Sequence, residues 1–388
     1  MIETESFKQV CDFVKLQYPN KEFIPLHAPV FNGNEKAYLI DAIDSTFVSS
    51  VGEYVNQFER MMCSITGAEY AIATVNGTNA LHMALILAGV IGDDEVISQS
   101  LTFIATCNAI SYCRANPVFV DVDRDTMGLS PDALEKFLIE YAEIRDDGFT
   151  YNKLSNRRIK ACVPMHTFGF PCRIDKISTI CDTWNITLVE DSAESLGSYY
   201  QGKHTGVRGK VGVFSFNGNK TVTCGGGGAL ITNDPEIAKR AKHLTTQAKV
   251  PHKWAFLHDE IGYNYRMPNL NAALACAQLE QLNSFVKNKR ALAKIYENFF
   301  DASGISFVTE IEEAEANYWL NSIIFDNVEQ RNAFLEYSNT NGVMSRPVWE
   351  LMHKLPMFSN AQKEDLTNSE WLADRLVNIP SSVRPEFI

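Results

Sequence analysis

The run AIATVNGTNALHMA, residues 71–84, changes its period halfway along. Small and branched apolar residues end at Val75, Asn76-Gly77-Thr78 turns the chain, and Asn79 opens an amphipathic helical stretch. Working outward, the same alternation recurs from about residue 70 to residue 235. Strands are expected at Tyr70–Val75, Glu95–Gln99, Pro117–Val122, Ile159–Met165, Thr187–Glu190, Gly212–Ser215 and Ala229–Thr232, with helices such as Thr78–Ala88 and Asp175–Trp184 between them. Alternation on this scale implies an α/β fold with a mainly parallel, doubly wound sheet. Such sheets take ligands at the carboxyl ends of their strands.

Beyond Pro268 the texture changes. Residues 269–301 keep apolar positions at helical spacing and read as one long helix, Asn269–Phe300, bridging two domains. Residues 302–388 mix a strand, Tyr318–Ile324, with a helix, Val328–Thr340, and suit a small α+β domain. Residues 1–45 read as an arm and a helix, Gly33–Ile43, that complete that small domain or pack across a partner. The large domain then occupies residues 46–268. A length of 388 residues exceeds the roughly 250–300 residues that one core serves, which fits this division.

Composition excludes several classes. The net charge of −12 argues against nucleic acid and anionic membranes as partners, because both need a basic face. Nine scattered cysteines with no C-x-x-C pair read as reduced thiols. The N-terminus lacks a basic segment followed by an apolar run, and no apolar stretch approaches the roughly 18 residues of a membrane span. The expectation is a cytoplasmic protein. No metal-ligand spacing, G-x-S-x-G elbow or P-loop is present in the sequence, so no metal is expected.

Three stretches carry chemistry. In VFSFNGNKTVTCGGGGALITND (213–234), Lys220 follows a strand and a turn and precedes four glycines. A lone lysine after a turn is ordinarily solvated, but Gly-rich backbone on one side and Ser215 on the other suit an amine held in a pocket beside a flat, phosphorylated ligand. Such an amine can form an imine with a carbonyl. In LVEDSAESLG (188–197) an apolar strand ends in carboxylates, which need partners. Asp191 there could pair with a protonated pyridine nitrogen or cap a helix with Glu194 as the reciprocal half of the box. At Asn76–Asn79, Gly77 lets the chain turn, and Thr78 and Asn79 open a helix whose free N–H groups suit a phosphate. Phe103, at another strand end, could stack on a heteroaromatic ring or simply fill the core. His166 could be a base, a substrate contact or an ordinary hydrogen-bonded histidine, and the last is the commonest outcome.

Together these stretches resemble the DegT/DnrJ/EryC1/StrS sugar aminotransferases. FVSSVGEYVNQFE (47–59), VNGTNALHMAL (75–85), LTFIATCNAI (101–110), EDSAESLG (190–197), SFNGNK (215–220) and GYNYRMPNLNAALACAQLE (262–280) stand in the family's order, and the likeness runs from about Phe23 to Ser382. The resemblance implies the fold type I architecture of aspartate aminotransferase, with a mostly parallel seven-stranded sheet, flanking helices and a smaller C-terminal α+β domain. It implies pyridoxal 5'-phosphate as cofactor, held by Lys220 and cycling through pyridoxamine 5'-phosphate. Asp191 matches the partner of the ring nitrogen, Glu194 the neighbour of the 3-hydroxyl and Phe103 the stacking aromatic. Gly77, Thr78, Asn79 and Ser215 match the phosphate cradle. Asn264 matches a residue reaching the phosphate from the neighbouring subunit, which implies a homodimer with shared active sites.

A narrower likeness, in FIPLHAPVFNGNEK (23–36), STFVSSVGEYV (45–55) and NYWLN (317–321), points to the subgroup of legionaminic-acid and related pathways. It implies glutamate as donor and a nucleotide-linked 4-keto-6-deoxy-N-acetylhexosamine as acceptor, with the amino group placed at C4. Thr46, Phe47, Val48 and Ser49 match a loop on the nucleotide sugar, and Arg346 and Trp349 a segment that approaches it. Relatives with histidine in place of the lysine are dehydratases; Lys220 favours transamination. A 3-keto aminotransferase, a sugar dehydratase and a noncatalytic sensor on the same fold are the rival readings. Many relatives carry an acidic residue in the Gly-rich run, where this chain has Gly225–Gly228.

Overall fold

The computed structural model describes residues 2–384, with side chains from residue 5. Seven strands form one sheet in the order Tyr70–Thr74, Gly228–Thr232, Val211–Ser215, Thr187–Asp191, Ile159–Val163, Glu95–Gln99, Asn116–Val120. Gly228–Thr232 runs antiparallel to both neighbours, and the remaining pairings are parallel. The strands are almost wholly buried, as expected when helices cover both faces. On one face Gly77–Leu87, Ile104–Tyr112 and Pro235–Thr245 pack with Ile72, Val96, Val189 and Val213. The carboxyl ends of Tyr70–Thr74, Thr187–Asp191 and Val211–Ser215 share one edge, so the loops after them converge there.

A second, antiparallel sheet orders Ser306–Phe307, Asn321–Ile324, Leu376–Ile379 and Arg346–Pro347. Phe7, Val10 and Val14, from a helix at Ile2–Gln17 that the sequence reading did not anticipate, pack there with Leu292, Tyr296 and Phe334. The expected helix at Gly33–Ile43 lies at Glu35–Asp44.

Two expectations are corrected. The long helix is two, Asn269–Leu279 and Leu282–Phe300. No proline or glycine marks the joint, which is tertiary in origin. The Glu280 carboxylate accepts Tyr38 Oη at 2.5 Å and Asn34 Nδ2 at 2.8 Å. Beside it Gln281 Nε2 donates to Glu35 at 2.7 Å, while its backbone N–H closes a tight bond to Gln278 O at 3.1 Å. The strand expected at Tyr318–Ile324 begins only at Asn321. Tyr318 takes a left-handed φ of 49°, and the Asn317 side chain accepts the Trp319 N–H at 2.8 Å, so the chain turns there before it pairs.

Among the described residues no helix is long and apolar enough to cross a membrane, and all nine cysteines are free, seven of them buried. Folding brings His243, Asp259 and Glu260 together at the surface, a grouping that sequence spacing does not reveal. Charge pairing accounts for it: His243 meets Asp259 at 2.7 Å, and Arg240 clasps Glu260 at 2.7 and 2.8 Å.

Candidate active site

A cavity of about 280 Å3 opens at the shared edge of the large sheet. Its walls include Gly77, Thr78, Phe103, Asp191, Glu194, Ser215, Lys220 and Trp349, all singled out by sequence.

One wall is the start of the helix Gly77–Leu87. Asn76 caps it in extended conformation, its Oδ1 accepting the Asn79 N–H at 2.8 Å. The N–H groups that begin a helix have no partner within it, so those of Gly77 and Thr78 suit an anion. The absent side chain at position 77 matters sterically. A Cβ there would come within 2.8 Å of Ser215 Cβ, the last residue of the adjoining strand. Gly228 answers a similar demand, since a Cβ would sit 2.4 Å from Asn76 O.

Asp191 forms the second wall. It is buried; Oδ2 accepts the Thr106 hydroxyl at 2.7 Å and Oδ1 the Ala193 N–H at 3.1 Å. Each oxygen retains an acceptor position. Burial raises its pKa, against the hydrogen bonds from Thr106 and Ala193 and the charge of Lys220. A cationic donor in the cavity would relieve that cost.

Lys220 enters from a turn closed by its own N–H to Asn217 O at 3.0 Å. Its Nζ lies 3.0 Å from Glu194 Oε1 and 4.0 Å from the ring centroid of Trp319. Trp319 is fixed in turn by its indole N–H to Asn219 O at 2.6 Å. Burial pushes Glu194 up to about 7, the neighbouring Lys220 charge opposing it. Its other oxygen accepts the Phe168 N–H at 2.9 Å. Phe168 is buried with φ 56°, a conformation costly for a bulky residue and typical of positions that surrounding structure constrains. The Lys220 amine thus faces a carboxylate that burial keeps easier to protonate than an ordinary one.

Phe103 is 46% exposed and meets Trp349 edge-on, with centroids 6.0 Å apart. It is therefore a cavity wall rather than core. His166 is fully buried behind the site. Its Nδ1 accepts the Cys172 N–H at 3.2 Å, so Nε2 carries the proton to Glu190 at 3.0 Å. It is an ordinary hydrogen-bonded histidine.

Other expected residues lie outside this cavity. The Asn79 N–H is spent on the cap. Thr46, Phe47, Val48 and Ser49 form an exposed loop pinned by Asn269, which bonds Phe47 O at 2.7 Å and Ser49 O at 2.7 Å. Asn264 is exposed, and Arg346 lines a neighbouring cavity. Sequence reading missed Asn76, Thr106, Met165 and Trp319. An asparagine before Gly-Thr is a cap signal for the first; nothing local marks the others.

The wall chemistry fits pyridoxal 5'-phosphate: an amine for its aldehyde, a carboxylate for its ring nitrogen, an aromatic for its face and a helix start cleared of side chains for its phosphate.

A sequence profile described as the DegT/DnrJ/EryC1/StrS aminotransferase family matches residues 30–386. The GDP-perosamine synthase of Escherichia coli O157:H7 is 37% identical over 361 residues, 93% of each chain. Among solved structures, the aminotransferase TlmJ from Streptoalloteichus hindustanus superposes with TM-score 0.83 at 25% identity, over 92% of this chain and 93% of that one. DesV of S. venezuelae, solved in complex with a ketimine intermediate, gives TM-score 0.80 at 26% identity, over 92% and 90%. The chain belongs to the DegT/DnrJ/EryC1/StrS aminotransferase family, whose enzymes depend on pyridoxal 5'-phosphate.

Proposed function

We propose that this family member is a nucleotide-sugar aminotransferase that moves an amino group from glutamate to C4 of a 4-keto-6-deoxy-N-acetylamino sugar. The observation that carries this is Lys220 Nζ, held between Glu194 and the Trp319 ring in one cavity with Asp191 and the Gly77 helix start. The GDP-perosamine synthase name of a relative supports a nucleotide-linked amino sugar as the product class. The sequence likeness to the legionaminic-acid subgroup supports the keto position and the acetamido group.

Bound pyridoxal 5'-phosphate supplies an electron sink for the negative charge that develops when the donor loses its Cα proton. Lys220 would hold the cofactor and, once released, move the proton with its Nζ. Glu194 Oε1, 3.0 Å away, would hold Nζ in place. Asp191 holds the ring nitrogen protonated, with Thr106 fixing its Oδ2. Ser215, Gly77 and Thr78 bind the phosphate, and Phe103 orients the ring.

The reading includes a homodimer, with Asn264 reaching the partner's phosphate site. Exposed apolar side chains in the preceding stretch of chain, Trp254, Phe256 and Ile261, and those of the loop Phe47–Val51, support such pairing.

Incubation of cofactor-loaded protein with ¹⁵N-glutamate and either a 4-keto or a 3-keto nucleotide sugar tests the assignment. The expected product carries ¹⁵N at C4. Label at C3, or loss of a hydroxyl without label, would replace this reading with one of its rivals.

A further inference from the structure

Asn317 is fully buried at the turn before the strand Asn321–Ile324, where the chain of the small sheet meets loops of the large one. Its amide offers an acceptor oxygen and an NH2 group, and both are engaged. Oδ1 accepts the Trp319 N–H at 2.8 Å. Nδ2 donates to Glu194 O and Leu196 O, each at 2.9 Å. The backbone N–H of Asn317 donates to the Ser198 hydroxyl at 2.9 Å, and that hydroxyl donates to Gly169 O at 2.7 Å. The enclosure is close, since a Cβ at Gly169 would overlap Asn317 Oδ1.

What these partners carry gives the amide its interest. Glu194 presents its carboxylate to Lys220 Nζ at 3.0 Å, and Trp319 presents its ring at 4.0 Å. Together they confine the amine, whose side chain is 13% exposed. The two groups come from stretches far apart in sequence. Each has further ties of its own: Glu194 Oε2 accepts the Phe168 N–H, and the Trp319 indole donates to Asn219 O. Apart from Lys220, however, Asn317 is the one described residue whose side chain bonds both. Only an amide of this length serves. A carboxylate would set its oxygen against two carbonyls, and an apolar side chain would leave those carbonyls and the Trp319 N–H unmatched.

We propose that Asn317 is a positioning residue for Lys220. By joining the Glu194 loop to Trp319, it sets where Nζ rests whenever the amine is not joined to cofactor. This rests on the aminotransferase reading above, in which the freed amine moves the donor's proton. Asn317 itself stands behind the cavity wall and acts through Glu194 and Trp319.

The test reads Lys220 directly in the full-length chain. In cofactor-free protein, acetylation of Lys220 by acetic anhydride is timed by peptide mass spectrometry, relative to exposed Lys203. Asn317→Ala should speed Lys220 labelling about fivefold or more, the scale of a lost hydrogen bond. Asn317→Ser, whose hydroxyl can serve one of the lost partners, should give a smaller rise, and it decides the matter if Asn317→Ala does not fold. In cofactor-loaded protein the same variants should slow the half-reaction with glutamate through kcat, with KM little changed. Asn321→Ala is the control. Asn321 is equally buried in the same segment, and its side chain donates to Ser381 Oγ at 3.0 Å. Its loss should lower the melting temperature and leave Lys220 labelling unchanged. Folded Asn317 variants with wild-type labelling of Lys220, or an equal rise in Asn321→Ala, would overturn the proposal. Labelling that depends on Asn317 in a protein that takes no nitrogen from glutamate would instead sink the aminotransferase reading alone.

Discussion

At the end of strand Thr187–Asp191 two adjacent buried carboxylates face opposite sides of the sheet. On one side Glu190 accepts His166 Nε2 at 3.0 Å and the backbone N–H groups of Gly206, Arg208 and Gly209 at 2.8, 2.7 and 2.6 Å. On the other, Asp191 accepts only Thr106 and Ala193. Burial acts on both, yet Glu190 ends below its usual pKa, held there by His166 and backbone donors, whereas Asp191 ends above. A saturated carboxylate ties a loop to a strand; one with acceptor capacity left, beside a cavity, is available to a ligand. The same side-chain chemistry is thus saturated on one face and open to a ligand on the other.

The comparison breaks most visibly at Asp191. Asp191→Asn should cut transamination about a thousandfold, roughly 4 kcal/mol of barrier, with little change in melting temperature. Steady-state kinetics beside a thermal melt checks this, and a large loss of stability with ordinary kcat would reverse the two roles. Glu190→Gln should do the opposite. It leaves buried donors unmatched and should cost about 3 kcal/mol in denaturant unfolding, while folded molecules bind cofactor normally.

A third carboxylate, Glu194, sharpens the contrast through pH. Its pKa of about 7 in the folded protein exceeds the ordinary 4.5, so the folded state holds the proton more tightly than the unfolded chain. The stabilisation is full below about 4.5 and is lost as pH rises through about 7, roughly 3 kcal/mol at most. Unfolding of cofactor-free protein across this window should show the decline, and Glu194→Gln should flatten it.

The smallest effects belong to the glycines. Gly77→Ala places a Cβ against Ser215 and should weaken cofactor retention about tenfold, about 1.4 kcal/mol, measured by dialysis and absorbance. Gly226→Ala meets nothing nearer than Val75 O at 3.8 Å and should change retention by less than about twofold.

Much of this was legible in the chain. Most of the seven strands stand out as short runs rich in apolar residues between turn residues, and Lys220, Asp191 and Gly77 because they lie at or just after strand ends. What stayed hidden depends on distant partners. The break at Glu280-Gln281 is held by the side chains of Asn34, Glu35 and Tyr38. Trp319 reaches Lys220 only because Tyr318 turns left-handed. His166 and Glu190 look as reactive in sequence as Asp191, and only their hydrogen bonds distinguish them. The loop at Thr46–Ser49 and Asn264 lie outside the cavity.

Borohydride reduction of cofactor-loaded protein, followed by peptide mass spectrometry, tests the assignment of Lys220 most directly. The account predicts a phosphopyridoxyl group fixed on Lys220 and on no other lysine. Label on a different lysine, or stable cofactor binding with Lys220 unlabelled, would contradict it.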